Sequence, residues 1–336
     1  MHADQRAATH SAESGTRPMS DLDRGRPQVS IGMPVYDAER FLPAAIESVL
    51  AQTFSDFELI VCDNASSDRS LAICRDFAAR DARVRVLQNP VNLGANPNYR
   101  KVAQAARGEF FKWASANDAI APNFIECCVR ALERQPAAVL AYGRTVLFST
   151  DPGSGSEYDD HMELQDDDAF ERYRRCVEGL RLNNVINGLI RTSALRRTPL
   201  MPDYHSSDNV VLGYLALAGK FSRVAETCFY RRMDHESATR LQSEDVVRLH
   251  HYPTDRLESF FQSWQLSLGY LGAGLVSRLP LRQRLRVVRY MSRHIYWQMP
   301  KLMADIGEAL RFYVLRAPRL KTHAGDHAGR PDKKQD

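Results

Sequence analysis

Three aspartates stand where polar loops interrupt apolar segments. Asp63 lies in Val61-Cys62-Asp63-Asn64-Ala65-Ser66-Ser67-Asp68, Asp118 ends Phe111-Lys112-Trp113-Ala114-Ser115-Ala116-Asn117-Asp118, and Asp208 precedes Asn209-Val210-Val211-Leu212. A carboxylate can accept hydrogen bonds from a pyrimidine edge or a ribose, hold a hard divalent cation beside a diphosphate, or take the proton of an attacking hydroxyl. Beside Asp63, serines and backbone N–H groups at a helix start favour anionic groups. Asp118 is the only carboxylate of its segment, which suits a cation that takes one or two carboxylates plus substrate phosphates. Asp208 stands alone before an apolar helix and could activate a poor hydroxyl nucleophile. Each also has an ordinary reading: a turn carboxylate satisfied by backbone, a residue that opens a helix, and an N-cap. Asp68 reads as a charge at a helix N-terminus rather than a ligand contact.

The elements that would position these residues run from Gln28 to about Gly143, where short β-rich runs alternate with stretches of helical period, the signature of parallel βαβ units. Val29–Met33, Phe57–Cys62, Val84–Leu87, Glu109–Trp113 and Ala138–Tyr142 read as five strands. Leu42, Ala45, Ile46 and Val49 share one helix face after Pro43, and Ser66 or Ser67 can cap a helix with Leu71, Cys74 and Phe77 facing inward. An Ala-rich helix near Tyr99–Arg107 and one started by Pro122, with Phe124, Ile125, Cys128, Val129 and Leu132 inward, complete the layers. Such sheets bind ligands beyond the carboxyl ends of their strands. No GxGxxG follows the first strand and no GxxxxGK[ST] occurs, so dinucleotide and P-loop readings lose their main support.

Residues Thr150–Asp168, rich in Gly, Ser and Asp, read as a mobile acidic loop, followed by a second compact portion to about Arg240. Near its end, Phe229-Tyr230-Arg231-Arg232-Met233-Asp234-His235 offers Arg231 or Arg232 to a diphosphate, whose oxygens match a guanidinium; a merely solvated strand end is the plainer reading. The formal net charge of +4 is too small to indicate a nucleic-acid partner. Six cysteines without a CxxC pair read as reduced, mostly buried thiols. Residues 1–27 lack an apolar stretch and read as a disordered tail, like 321–336; 28–250 form the main domain and 251–320 a basic helical extension. Trp264–Val276 is too short to cross a bilayer, so the expectation is a cytoplasmic protein. In the extension, Arg278, Arg282, Arg284, Arg286, Arg289 and Arg293 interleave with Leu279, Leu281, Leu285, Val287, Val288, Tyr290, Met291, Ile295, Tyr296 and Trp297, as in helices that lie on anionic membrane surfaces. That pattern allows peripheral association with the inner face of the membrane; packing on the domain with the arginines facing water is the alternative. No nucleic-acid-binding module accompanies the charge.

The order of Met33-Pro34-Val35-Tyr36, Ala45–Thr53, Phe57–Asp68, Asn92-Leu93-Gly94, Ala106-Arg107-Gly108-Glu109 and Asn117–Pro122 resembles the family-two inverting glycosyltransferases with the GT-A fold, over roughly Gln28–Arg240. The resemblance implies an α/β fold with a mostly parallel, Rossmann-like central sheet flanked by helices. It implies that Pro34, Val35 and Tyr36 line a base pocket, that Asp63 binds the pyrimidine, and that Asn92 and Ser115 join the nucleotide site. Asp118 would hold a divalent cation, Mn or Mg, with Asn117 and His235 completing its shell, and Asp208 would be the catalytic base. Family members usually carry Asp-any-Asp-Asp where this chain has Ser115-Ala116-Asn117-Asp118, which implies weaker metal affinity. The implied activity moves a sugar from a UDP- or dTDP-sugar to a hydroxyl of a glycan or lipid-linked glycan, with inversion, in polysaccharide biosynthesis. The alternatives are a catalytically silent sugar-nucleotide-binding scaffold and, more remotely, a nucleotidyltransferase.

Overall fold

The computed structural model describes residues 25–233 and 261–320, with side chains as far as residue 312. Its first half is the expected parallel layer: β1 (Val29–Val35), β2 (Phe57–Asp63), β3 (Val84–Gln88) and β4 (Phe110–Trp113) lie in the order β3-β2-β1-β4. Strands covered on both faces read as continuous apolar runs, and every residue of β1 and β2 is buried. Pro34, which lacks a ladder donor, is tolerated because β4 pairs with β1 only as far as Gly32. Helix α1 (Leu42–Leu50) buries Leu42, Ala45, Ile46 and Val49, with Pro43 in its first turn.

Several boundaries differ from the sequence reading. Helix α2 (Ser70–Arg80) is not capped by Ser66 or Ser67; Asp68 accepts from the Ser70 N–H at 2.9 Å and from Glu39 N–H at 2.9 Å. Its carboxyl is held below the usual range: burial pushes upward, but Ser70 and the backbone amides outweigh it. Helix α3 (Ala95–Gln104) starts four residues before Tyr99, because Gly94 at φ 88° makes the turn into it and the Asn92 carboxamide accepts from Gly94 N–H at 2.9 Å. A two-residue strand, β5 (Ala119–Ile120), precedes α4 (Phe124–Arg134), which buries the five expected side chains. Strand β6 continues from Ala138 to Phe148, well past Tyr142.

Residues 150–168 are pinned to the sheet rather than forming a loose acidic loop. β7 (Ser156–Tyr158) pairs antiparallel with β6, Leu164 bridges to Phe221, and Asp168 caps α5 (Ala169–Gly179). Three aspartates of that run have partners: Asp160 is buried against Thr145 and Asn184, Asp166 meets Arg175, and Asp167 meets Lys220. The second portion joins the same sheet. β8 (Leu189–Arg191) sits between β4 and β6, and β9 (Lys220–Arg232) runs parallel to β6 and antiparallel to β5. Helices α6 (Thr192–Leu195) and α7 (Ser207–Ala218) accompany it.

The extension contains α8 (Gln262–Val276), α9 (Leu281–Trp297) and α10 (Met299–Leu320). It docks through a small core of Tyr173, Val210, Leu217, Tyr270, Ala273, Val287 and Met291. Close approach is set by Gly274, where a Cβ would lie 2.5 Å from Val287. The Tyr173 hydroxyl donates to the Tyr270 carbonyl at 2.8 Å. All six cysteines are free, and all but the half-buried Cys127 are buried. Among the described residues no helix is long and apolar enough to cross a membrane. The expected tails fall outside the described residues except for 25–27, where Arg26 donates to the Arg107 carbonyl.

Candidate active site

Asp63 ends β2 beside Val35 of β1 and is fully buried. One carboxylate oxygen, Oδ2, accepts from Ser66 N–H at 3.3 Å; the other, Oδ1, has no protein donor among the described residues. A buried acceptor without a donor costs about 1–3 kcal/mol, so the position favours an incoming N–H or O–H. The rims of β1 and β2 are laced together: Ser67 N–H donates to Asp37 at 2.7 Å, and Asp37 N–H donates to Ser66 Oγ at 3.1 Å. Asp37 and Ala65 hold left-handed backbone at φ 43° and 60° to make these turns. Pro34 and Val35 belong to the buried floor, while Tyr36 stands 45 % exposed at the rim.

An asparagine cluster, which sequence reasoning missed, fixes the neighbouring loop. Asn64 accepts from Leu93 N–H and Asn89, and donates to Asn92 and to the Gly94 carbonyl. Asn98 donates to the Cys62 carbonyl at 2.9 Å, so α3 is anchored to the end of β2. Asn92 therefore acts in the structure as a loop staple, its side-chain oxygen already engaged by Asn64 and Gly94.

Asp118 lies between β4 and β5, and the β5–β9 pairing brings it beside Arg231 and Arg232. Its Oδ1 accepts from the Arg232 backbone N–H at 2.8 Å. Burial raises its pKa, opposed by that amide, the Arg231 charge, the Ser115 hydroxyl and the Lys112 charge. Ser115 thus meets Asp118 and also the Tyr99 hydroxyl. Lys112 is fully buried beneath the site, donates to the Trp113 and Asn187 carbonyls, and lies 4.8 Å from the Phe124 ring centre. Burial pulls its ammonium down to about 8.

The two arginines differ. Arg232 is sandwiched between Phe41 and Phe148, at 4.3 and 4.6 Å, and its guanidinium donates to the Asn117 and Ser149 carbonyls. That engagement occupies Nε and Nη1 of its guanidinium, while its backbone N–H meets Asp118. Arg231 donates to Asn184, and its charge opposes the upward shift of Asp118, Asp160 and Asp208 alike. Asn184 in turn donates to Asp160 at 2.8 Å, and Thr145 donates to the other Asp160 oxygen at 2.6 Å. Asp160, Asn184 and Arg231 form a relay that no local motif announced.

Asp208 lies in the first turn of α7, after Ser206 at φ 60°, and is not the N-cap. Its Oδ1 accepts from Asn209 N–H at 3.0 Å. Burial raises its pKa, countered by the Asn209 amide, His205, Asn183 and Arg231. The Tyr99 hydroxyl, pushed up to about 12 by burial, also feels both Asp118 and Asp208. Two carboxylates 90 residues apart in the chain therefore share Arg231 and Tyr99 as neighbours.

As a metal site the described residues are sparse: no group of three or more His, Cys, Asp or Glu could hold an ion. Asp118 with the Asn117 carboxamide fits a cation only where a diphosphate supplies the remaining oxygens. His235 lies outside the described residues.

Residues 30–197 match the model of glycosyl transferase family 2, a span of half the chain. The chain belongs to this family. The family span includes Asp63 and Asp118 and ends before Asp208 and Arg231. The chain is 28% identical over 159 residues to Glycosyltransferase GlyG of Streptococcus pneumoniae, covering 47% of this chain and 49% of that one. It is 37% identical over 98 residues to the Escherichia coli UDP-Glc:alpha-D-GlcNAc-diphosphoundecaprenol beta-1,3-glucosyltransferase WfgD, covering 29% and 38%. The chain thus spans less than half the length of these relatives. Among solved structures, S. aureus TarS residues 1–349 in complex with UDP-GlcNAc superpose with TM-score 0.61 at 14% identity, covering 84% of this chain and 81% of that one. The mannosyltransferase PcManGT from Pyrobaculum calidifontis, in complex with GDP-Man and Mn2+, superposes with TM-score 0.51 at 13% identity, covering 89% and 80%. At these identities the likeness speaks for the fold, a GT-A-like sheet flanked by helices.

Proposed function

We propose that this family-2 chain moves a sugar from a nucleoside-diphosphate donor, a UDP- or dTDP-sugar, to a hydroxyl of a glycan or lipid-linked glycan, with inversion at the anomeric carbon. The observation that carries the reading is the shared neighbourhood of Asp118 and Asp208, built from distant parts of the chain around Arg231 and Tyr99. The donorless Oδ1 of Asp63 supports a nucleoside at the other end of the same strand edge. TarS was solved with UDP-GlcNAc and WfgD carries a lipid diphosphate acceptor in its name, which favours these substrate classes.

Asp63 takes a hydrogen bond from the base or ribose, and the rim serines with their backbone N–H groups face the anionic end of the donor. Arg231, held by Asn184, offers positive charge where the departing diphosphate accumulates negative charge. A Mn or Mg ion, such as the Mn2+ bound with GDP-Man by PcManGT, would be held by Asp118 and Asn117 and would act as a Lewis acid on the diphosphate. Asp208 removes the acceptor proton as the hydroxyl attacks the anomeric carbon. Because burial raises the Asp208 pKa, the acid-side fall of kcat/KM lies above the ordinary aspartate value of 3.8.

Incubating the full chain with a nucleotide-sugar panel, Mn or Mg, and glycan or lipid-linked acceptors tests the reading. Acceptor-dependent release of a nucleoside diphosphate is expected. Ser115 and Asn117, standing where carboxylates are usual, favour the alternative of a silent scaffold, which would bind donor without turnover; pyrophosphate release would indicate a nucleotidyltransferase.

A further inference from the structure

Large apolar side chains are unevenly exposed. Ten of the thirteen that stand exposed among the described residues fall between Leu268 and Leu310, on α8, α9 and α10. Helix α9 sorts its surface into stripes at 100° per residue. Val287 and Met291 face the domain and are fully buried. On the outer side, Leu281, Leu285 and Tyr296, between 58% and 73% exposed, form an apolar stripe. Arg282, Arg289 and Arg293 follow directly beside it on the helical wheel.

Along this basic stripe α9 and α5 enclose a cleft of about 470 Å³, whose lining includes Arg289, Arg293, His294, Trp297, Phe170 and Glu178, the carboxylate of which is held by Arg174 and the Tyr290 hydroxyl. Arg286 in its wall is engaged by Asp168 and Glu171. No carboxylate pairs with Arg289 or Arg293 among the described residues, and Arg293 lies 5.2 Å from the Trp297 ring centre. Two guanidinium groups beside an exposed indole match a phosphate joined to apolar chains.

We propose that α8–α10 form a docking surface for an anionic phospholipid bilayer, with Arg289, Arg293 and Trp297 seating one lipid phosphate. Charge selects this occupant over a second copy of the chain. A twofold contact would oppose arginine stripes of like sign, whereas an anionic leaflet complements them. The same layer packs against α7, whose first turn carries Asp208: Val210 of α7 shares a core with Tyr270 and Val287. A lipid-linked acceptor would then arrive from the membrane beside Asp208; only this orientation rests on the proposed transfer reaction.

Co-sedimentation of the full chain with phosphatidylcholine vesicles and with vesicles containing phosphatidylglycerol tests the surface without requiring turnover. Pelleting with the anionic vesicles alone is expected, weakened by high salt, and the Arg289→Glu, Arg293→Glu double variant should bind at least about tenfold more weakly. A Trp297→Ala variant checks the cleft independently, since all three side chains are exposed and thermal unfolding should be unchanged. Equal pelleting on both vesicle types, or unaltered binding by both variants, overturns the proposal. A solution dimer lost in the variants, with no vesicle binding, assigns the face to a second copy and also overturns it. Vesicle binding by a chain that releases no nucleoside diphosphate would leave the surface standing and remove the transfer reaction.

Discussion

Glu58 in the sheet and Arg286 in the helical layer both belong to ion clusters, yet the two regions use charge differently. The Glu58 side chain is 6% exposed and accepts from Ser30, Arg107 and Arg85 between the strands. Burial would raise its carboxyl, but Ser30 and Arg107 hydrogen bonds and the Arg85 charge hold it below the usual glutamate range. Arg286 is 38% exposed and reaches from α9 to Asp168 and Glu171 at the surface. The sheet thus depends on satisfied buried charge, while the helical layer is tied down by a small core and solvated pairs. Among its other arginines, Arg284 donates to the Leu275 carbonyl and Arg293 lies over the Trp297 ring.

The largest break in this contrast should come at Glu58. Glu58→Ala leaves its arginines without their buried partner and should lower stability by about 3 kcal/mol at neutral pH. The carboxyl pKa is depressed on folding, so its contribution is complete above the ordinary value of 4.5 and is lost as pH falls through the folded-state value. Chemical denaturation of variant and wild type should therefore converge in acid. A gap that stays constant with pH would remove the ionised network as its cause.

A smaller effect is expected at Asp160, which Thr145 of β6 and Asn184 hold behind Arg231. Asp160→Asn keeps the shape but removes the charge behind Asn184 and Arg231, and should lower kcat about tenfold by misplacing the guanidinium. Steady-state kinetics should show the loss in kcat rather than in donor KM, and Arg231→Lys should not substitute for the forked guanidinium. The smallest effect belongs to Arg286→Ala, which should cost at most about 1 kcal/mol by thermal or chemical unfolding. A much larger loss would mean that the helical layer is as integral as the sheet.

The same division explains what was legible beforehand. Runs such as Val29–Val35 and Phe57–Asp63 announce themselves because strands covered on both faces must be apolar throughout, and α4 follows its 3.6-residue pattern. The placement of Asp63 and Asp118 at strand ends follows from that alternation. The acidic segment before α5 was misread because local composition cannot reveal that Thr145 and Asn184 would bury Asp160, or that Arg175 and Lys220 would pair with its neighbours. Arg232 was assigned by chemistry alone; its stacking between Phe41 and Phe148 depends on a long-range strand pairing. The Asn64–Asn89–Asn98 cluster had a trace in the chain, Asn92-Leu93-Gly94, but the partners across the fold had none.

The most direct test compares donor binding with acceptor-dependent turnover in two folded variants, Asp63→Ala and Asp208→Asn. Asp63→Ala should lose nucleotide affinity, whereas Asp208→Asn should bind donor like wild type and turn over roughly 10²–10⁴-fold more slowly. Wild-type turnover by Asp208→Asn would contradict the assignment of that carboxylate as the base.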